Sequence, residues 1–267
     1  MQYYEAMIGF FIKKSFYDLW DNLFKIVALN LGFFACFTIT VFLPRWAVQF
    51  FDSSTAGFVF LLIGIFICSI YMASAALAIK PISDYGNFSF KDFIEGFKTA
   101  WPAGLVMGAF VSFIILIITF VIPFYLGMQP VMVGLGLAAI IFWTGFFAIL
   151  SFQFYFSIIA RLGPGLGKAL KKCMLIAMDN TGLSVFLIFH NIFVLILSAF
   201  LAFMFPGPIG VLLYLDQALR LRLLKYDYLE ANPQADRRKI PWDELLMEEY
   251  EKTGNRTFRN FIFPWKD

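Results

Sequence analysis

Histidine occurs once in this chain, cysteine three times, and charged side chains make up only 15% of 267 residues. A metal centre needs several clustered histidine, cysteine or carboxylate ligands. Cys36, Cys68 and Cys173 stand apart, with no CxxC pair and no matching histidines. Neither a metal, a cofactor nor a disulfide framework is therefore expected, and the thiols read as small buried hydrophobes. Also missing are HExxH, GxSxG, a phosphate loop and paired carboxylates inside the apolar segments. No catalytic residue can be named, so the chain reads as non-enzymatic, with no nucleic-acid partner.

What is present in excess is apolar surface. Hydrophobic residues make up 61% of the chain and aromatics 20%, above the roughly half that soluble domains carry. A bilayer core about 30 Å thick needs roughly 20 apolar residues per helical crossing. Such windows lie at 24–43, 57–79, 103–126, 131–160 and 183–205, with a shorter, more polar sixth at 209–224. Residues 1–23 carry Glu5, Lys13, Lys14, Asp18 and Asp21 and have no secretory-signal pattern, so the first span reads as retained.

Charge sets the orientation. If six spans alternate from a cytoplasmic N-terminus, Arg45 alone of the 21 lysines and arginines falls outside. The positive-inside bias then places both termini in the cytoplasm and requires an even number of crossings. The localisation this implies is a bacterial inner membrane, with the basic face against anionic lipid.

A pattern recurs before the hairpins. Ser89 and Asp92 have the spacing of a helix N-terminal cap, followed by Phe90, Phe93, Ile94, Phe97 and Trp101 on one helical face. Ser15, Phe16, Asp18, Leu19, Trp20 and Leu23 repeat it, and Leu166, Ala169, Leu170 and Cys173 give an uncapped third copy. The expected fold is an all-α integral membrane bundle of six spans, built from three units of amphipathic helix plus transmembrane hairpin at about 15–79, 89–160 and 165–224. Residues 1–14 read as a further interfacial piece. A hydrophilic tail, 225–267, holds a short helix from Pro241 or Asp243 to Lys252 and an aromatic, basic end that docks on the membrane, on the inner helix ends or on a partner. Gly104 and Gly108 have the spacing of a close helix contact, and Gly134, Gly136 and Gly145 read as packing residues.

Ionisable groups in hydrocarbon are expensive and mark sites by default. Asp216, roughly 13 Å along its helix from Gly207, is the sharpest candidate. It either pairs with Arg220 one turn on, or forms an ion or proton site with His190 and Gln217. Asn30, Gln153 and Asn191 read as polar residues that hold helices together.

The loop Asn87-Phe88-Ser89-Phe90-Lys91-Asp92-Phe93, the Leu29-Asn30-Leu31 segment running to Leu43-Pro44, and the run Lys168-Ala169-Leu170-Lys171-Lys172 resemble the YesL-type family of bacterial multi-pass membrane proteins. The resemblance covers about residues 15–225. It implies an accessory role beside carbohydrate uptake systems and brings no catalytic residues with it. Two functions follow: a non-enzymatic component of a transport or envelope complex, with a membrane-protein partner or a second copy, or a small-solute or proton-coupled transporter.

Overall fold

The structure, a computed structural model, describes residues 2–237, 239–254 and 256, with side chains from Met7 onward. Among the described residues the only regular structure is helical. The helices are α1 (Gln2–Asp21), α2 (Leu23–Phe51), α3 (Ser54–Ser83), α4 (Phe90–Leu126), α5 (Val131–Leu162), α6 (Leu166–Asp179), α7 (Thr181–Ala199), α8 (Gly207–Ala231), α9 (Trp242–Leu245) and α10 (Met247–Thr253). A π turn at Ile117–Val121 interrupts α4, and α5 is broken at Gln153 and Phe154.

Five helices, α2, α3, α4, α5 and α7, are long and apolar enough to cross a membrane. The expected sixth, at 209–224, is not among them. It belongs to α8, which runs on to Ala231, and Asp216, Arg220 and Arg222 make it too polar for a lipid-facing span. Its surroundings explain how it tolerates them. Ile209, Leu213, Ala218 and Leu219 are almost wholly covered, and α1, α3, α5 and α7 pack around it. The helix is buried in protein.

Asn30 fixes where α8 begins. Its amide donates to the carbonyls of Met204 and Pro206 at 2.9 and 2.8 Å, and its oxygen accepts from the Ile209 N–H at 3.0 Å. A helix N-terminus leaves backbone donors free, and Asn30 satisfies one from a neighbouring helix. Gly207 has φ +65°, and a Cβ there would lie 2.5 Å from Asn30, so only glycine fits. Asn30 is seven residues into α2, about 10 Å at helical rise, with about 31 Å of α2 still to run before Phe51. Phe203 packs on Phe34, and Phe205 on Trp20. The α7–α8 turn therefore stops against the start of α2, far from the α2–α3 turn.

The three amphipathic stretches take three different forms. Ser15 is a buried mid-helix residue of α1, hydrogen-bonded to Gln217, and caps nothing. Residues 7–14 are not an interfacial appendage, because Met7, Phe10 and Phe11 are core. Ser89 does cap α4, accepting from the Lys91 N–H at 3.1 Å, but the helix then runs on along α3 instead of ending in a turn. Its covered face is the small-residue stripe Gly96, Ala100, Ala103, Gly104 and Gly108, while Phe90, Ile94 and Trp101 are exposed. A Cβ on Gly104 would come within 2.5 Å of the Ile70 backbone, so glycine allows the two helices to touch. Only α6 is a separate amphipathic helix. Gly136 and Gly145 meet nothing within 4 Å, so their expected packing role is not realised among the described residues.

The core lies at one end of the bundle, where α1, α8, the last turns of α3 and the end of α5 meet. Toward the other end the outward faces of α4 and α5 are bare, with Phe113, Ile118, Phe120, Phe124, Met132, Ile140 and Trp143 exposed. Replacing Asn30 with Ala should lower the unfolding free energy in detergent by about 2 kcal/mol, because buried backbone groups lose their partner. A thermal or denaturant melt unchanged from the parent would remove the cap from the account.

Candidate functional site

Charged residues at the core end of the bundle form one continuous chain. The Arg161 guanidinium grips the Asp216 carboxylate with two bonds, Nε to Oδ1 at 2.8 Å and Nη2 to Oδ2 at 2.5 Å. Its remaining arm donates to Asp84 at 3.0 Å. The same Asp84 oxygen lies 3.1 Å from Arg220 Nε, and Arg220 in turn holds both oxygens of Glu249 at 2.6 and 2.7 Å. Acid and base alternate from Asp216 to Glu249, joining α8, α5, the end of α3 and α10. Apart from Asp84, their side chains are at most 16% exposed.

Local structure places each member. Arg161 sits in the last turn of α5, where the helix dipole favours a cation, and Gly163 closes that helix in the left-handed conformation at φ +51°. Asp84 caps the C-terminus of α3, where the dipole disfavours an anion; two guanidinium groups offset this. Tyr85 follows with φ +60°, a conformation that costs a non-glycine residue about 1 kcal/mol. It is held there by its hydroxyl, which donates to Glu249 at 2.9 Å, and by Lys14 over its ring at 4.0 Å.

A second polar group adjoins the first. Lys14 pairs with Asp18 at 2.5 Å, Gln217 donates to Asp18 at 2.6 Å, and Ser15 donates to Gln217 at 2.5 Å. Burial pushes the Lys14 ammonium down and the Asp18 carboxyl up, each opposed by the other's charge. Burial also pushes Glu249 up, but its hydrogen bonds and charge pairing with Arg220 outweigh this and hold it below the usual carboxylate range.

The candidates from sequence are only partly brought together. Asp216, Arg220 and Gln217 belong to this cluster, but Asp216 pairs with Arg161 rather than with Arg220. His190 does not join it. It is half-buried among Phe11, Phe186 and Tyr214, with Asn191 Oδ1 at 3.4 Å, and makes no hydrogen bond to the cluster among the described residues. Gln153 links α5 to the Ser184 carbonyl of α7 at 3.0 Å, and Asn30 links α2 to α8. Asn191 hydrogen-bonds within its own helix. Sequence reasoning missed Arg161, Asp84, Tyr85 and Glu249 as partners; Arg161 lies 55 residues from Asp216 in the chain, and nothing local to Asp216 points to it.

The tail segment 242–253 docks on the molecule itself. Trp242, Leu246 and Glu249 are buried, and Tyr250 packs edge-on against Phe10. The aromatic, basic end at 257–267 lies outside the described residues. No set of three metal-ligating side chains gathers among the described residues.

These observations define a multi-pass helical membrane protein. Searches against protein-family models, curated proteins and solved structures find no match, so no family is identified and the YesL-type resemblance stays confined to its short motifs.

Asp216→Asn should destabilise the protein by about 3 kcal/mol, since a buried guanidinium loses its counter-charge. The pair Asp216→Leu with Arg161→Met should recover most of that loss. Equal melts for the single and double variants would show the two residues are uncoupled. Glu249 has a folded-state pKa below its unfolded value of about 4.3, so its contribution is complete at neutral pH and is lost as pH falls through the folded value. A nitroxide at exposed position 247, in a cysteine-free background, should stay immobile from pH 7 to pH 5. It should gain mobility below about pH 4, and Glu249→Gln should mobilise it at neutral pH.

Proposed function

We propose that this protein is a non-enzymatic component of a bacterial cytoplasmic membrane, accessory to a transport or envelope complex, with its ion-paired end facing the cytoplasm. The observation that carries this reading is the completeness of the charge chain from Asp216 to Glu249. A transport site for an ion or proton needs a charged group that a solute can reach and whose partner can change. Here Asp216 is 2% exposed and held by both arms of one arginine. It behaves as a rivet. The accessory role itself rests on the motif-level resemblance and on the absence of any recognised reaction chemistry.

In this reading α2, α3, α4 and α5 cross the bilayer, and α7 and α8 form a hairpin that stays on the inner side. The stretch of α2 from Lys25 to Arg45, about 30 Å at helical rise, matches one hydrocarbon thickness of about 30 Å. The α7–α8 turn, held at Asn30, then reaches about 8 Å into the inner leaflet, and the bare apolar face of α7, with Phe189, Ile192, Phe193 and Ile196, lies against inner-leaflet lipid. Four crossings keep both termini on one side, as the distribution of basic residues requires.

Reporter fusions test the layout. A fusion in the 127–130 turn should report the periplasm, while fusions at 203 and after the last residue should report the cytoplasm. A periplasmic signal at 203 would make α7 a full span and overturn the hairpin. For function, Asp216→Asn should lower membrane abundance without altering the uptake rate per molecule. A changed rate at equal abundance would instead favour the transporter. Purification in mild detergent should recover a stoichiometric partner; repeated recovery of the protein alone would defeat the accessory role.

A further inference from the structure

Between the spans lies a feature that the charge chain does not use. A trough of about 760 Å³ runs between α2 and α4, with α3 as its floor. The floor is the stripe Leu61, Ile65, Cys68 and Met72, which falls on one helical face. Phe156, on α5, closes one end and Arg45 stands at the other. Of the two polar uncharged side chains lining it, Thr40 donates to the Cys36 carbonyl at 2.9 Å, and Ser69 is buried beside the floor. The trough is therefore apolar along its length and charged at its mouth.

We propose that this trough holds the acyl chains of one glycerophospholipid, with Arg45 binding its phosphate. Three observations identify the occupant. Arg45 is exposed and makes no hydrogen bond or ion pair with another described residue, so a cation is left for an anion to meet. It sits six residues before the end of α2, at the level where Trp46 stacks on Phe50 at 5.1 Å, the arrangement of an interfacial aromatic belt. From Phe33 to Arg45 the wall is about 18 Å long at helical rise, close to the roughly 15 Å of one leaflet's hydrocarbon. That the bound lipid belongs to the outer leaflet rests on the orientation proposed above, but the binding itself does not.

Native mass spectrometry of the full chain in mild detergent tests this, with dioleoyl phosphatidylglycerol as probe and dioleoylglycerol as its phosphate-free counterpart. One phosphatidylglycerol per chain should survive activation that strips the rest, in preference to dioleoylglycerol. Arg45→Gln should weaken retention about tenfold and abolish the preference. Cys68→Phe should fill the trough and release both lipids. Equal retention by the parent and Arg45→Gln, or no retained lipid in the parent, would overturn the proposal. So would a lipid-free dimer that Cys68→Phe converts to monomers, which would assign the trough to a second copy. Reversed reporter signals with lipid still retained would refute the orientation alone.

Discussion

The bidentate contact between Arg161 and Asp216 is the constraint on which the core end of this protein depends. A carboxylate on a helix wrapped by other helices cannot remain charged without a partner, because desolvation costs several kcal/mol per ion. Arg161 supplies that partner only if the end of α5 is brought under the bundle and against α8. Its third arm then fixes Asp84, and with it the end of α3. Arg220 continues the series to Glu249 and draws α10 into place. One buried acid thus sets the relative positions of four helices.

The apolar parts obey a different rule. In lipid there is no hydrophobic drive between helices, so close packing must come from small residues and backbone contact. Gly96, Gly104 and Gly108 of α4 serve this purpose against α3, while the large aromatics point outward, where lipid solvates them. The two halves are therefore held by opposite means, polar saturation at the core end and small-residue contact between the spans. Asn30 lies at their boundary, reaching from a span to the start of the buried polar helix.

Part of this was legible from composition and order. Long apolar windows and the asymmetric lysines and arginines imply a helical membrane protein, since the bilayer imposes length and charge rules that act on the chain locally. The short helical segment expected from Pro241 or Asp243 through Lys252 was legible in outline, although the structure divides it into α9 and α10 at Leu246. Asp216 stood out because a single acid amid leucines is rare. Its partner was not legible. Arg220 is the neighbour in sequence, whereas Arg161, 55 residues away, is the neighbour in space. The same limit applies to α8: its composition resembles a weak span, and nothing local shows that protein rather than lipid surrounds it.

The amino-acid sequence alone determined the solvent of this protein and its helical class. These follow from hydropathy and charge counts that hold whatever the fold. Tertiary structure decided which helices meet, that Tyr85 is held in a left-handed conformation between Lys14 and Glu249, and that α8 starts against Asn30 instead of at the far surface. Each of these depends on contacts between residues remote in the chain, and their energies exist only once the helices have been brought together.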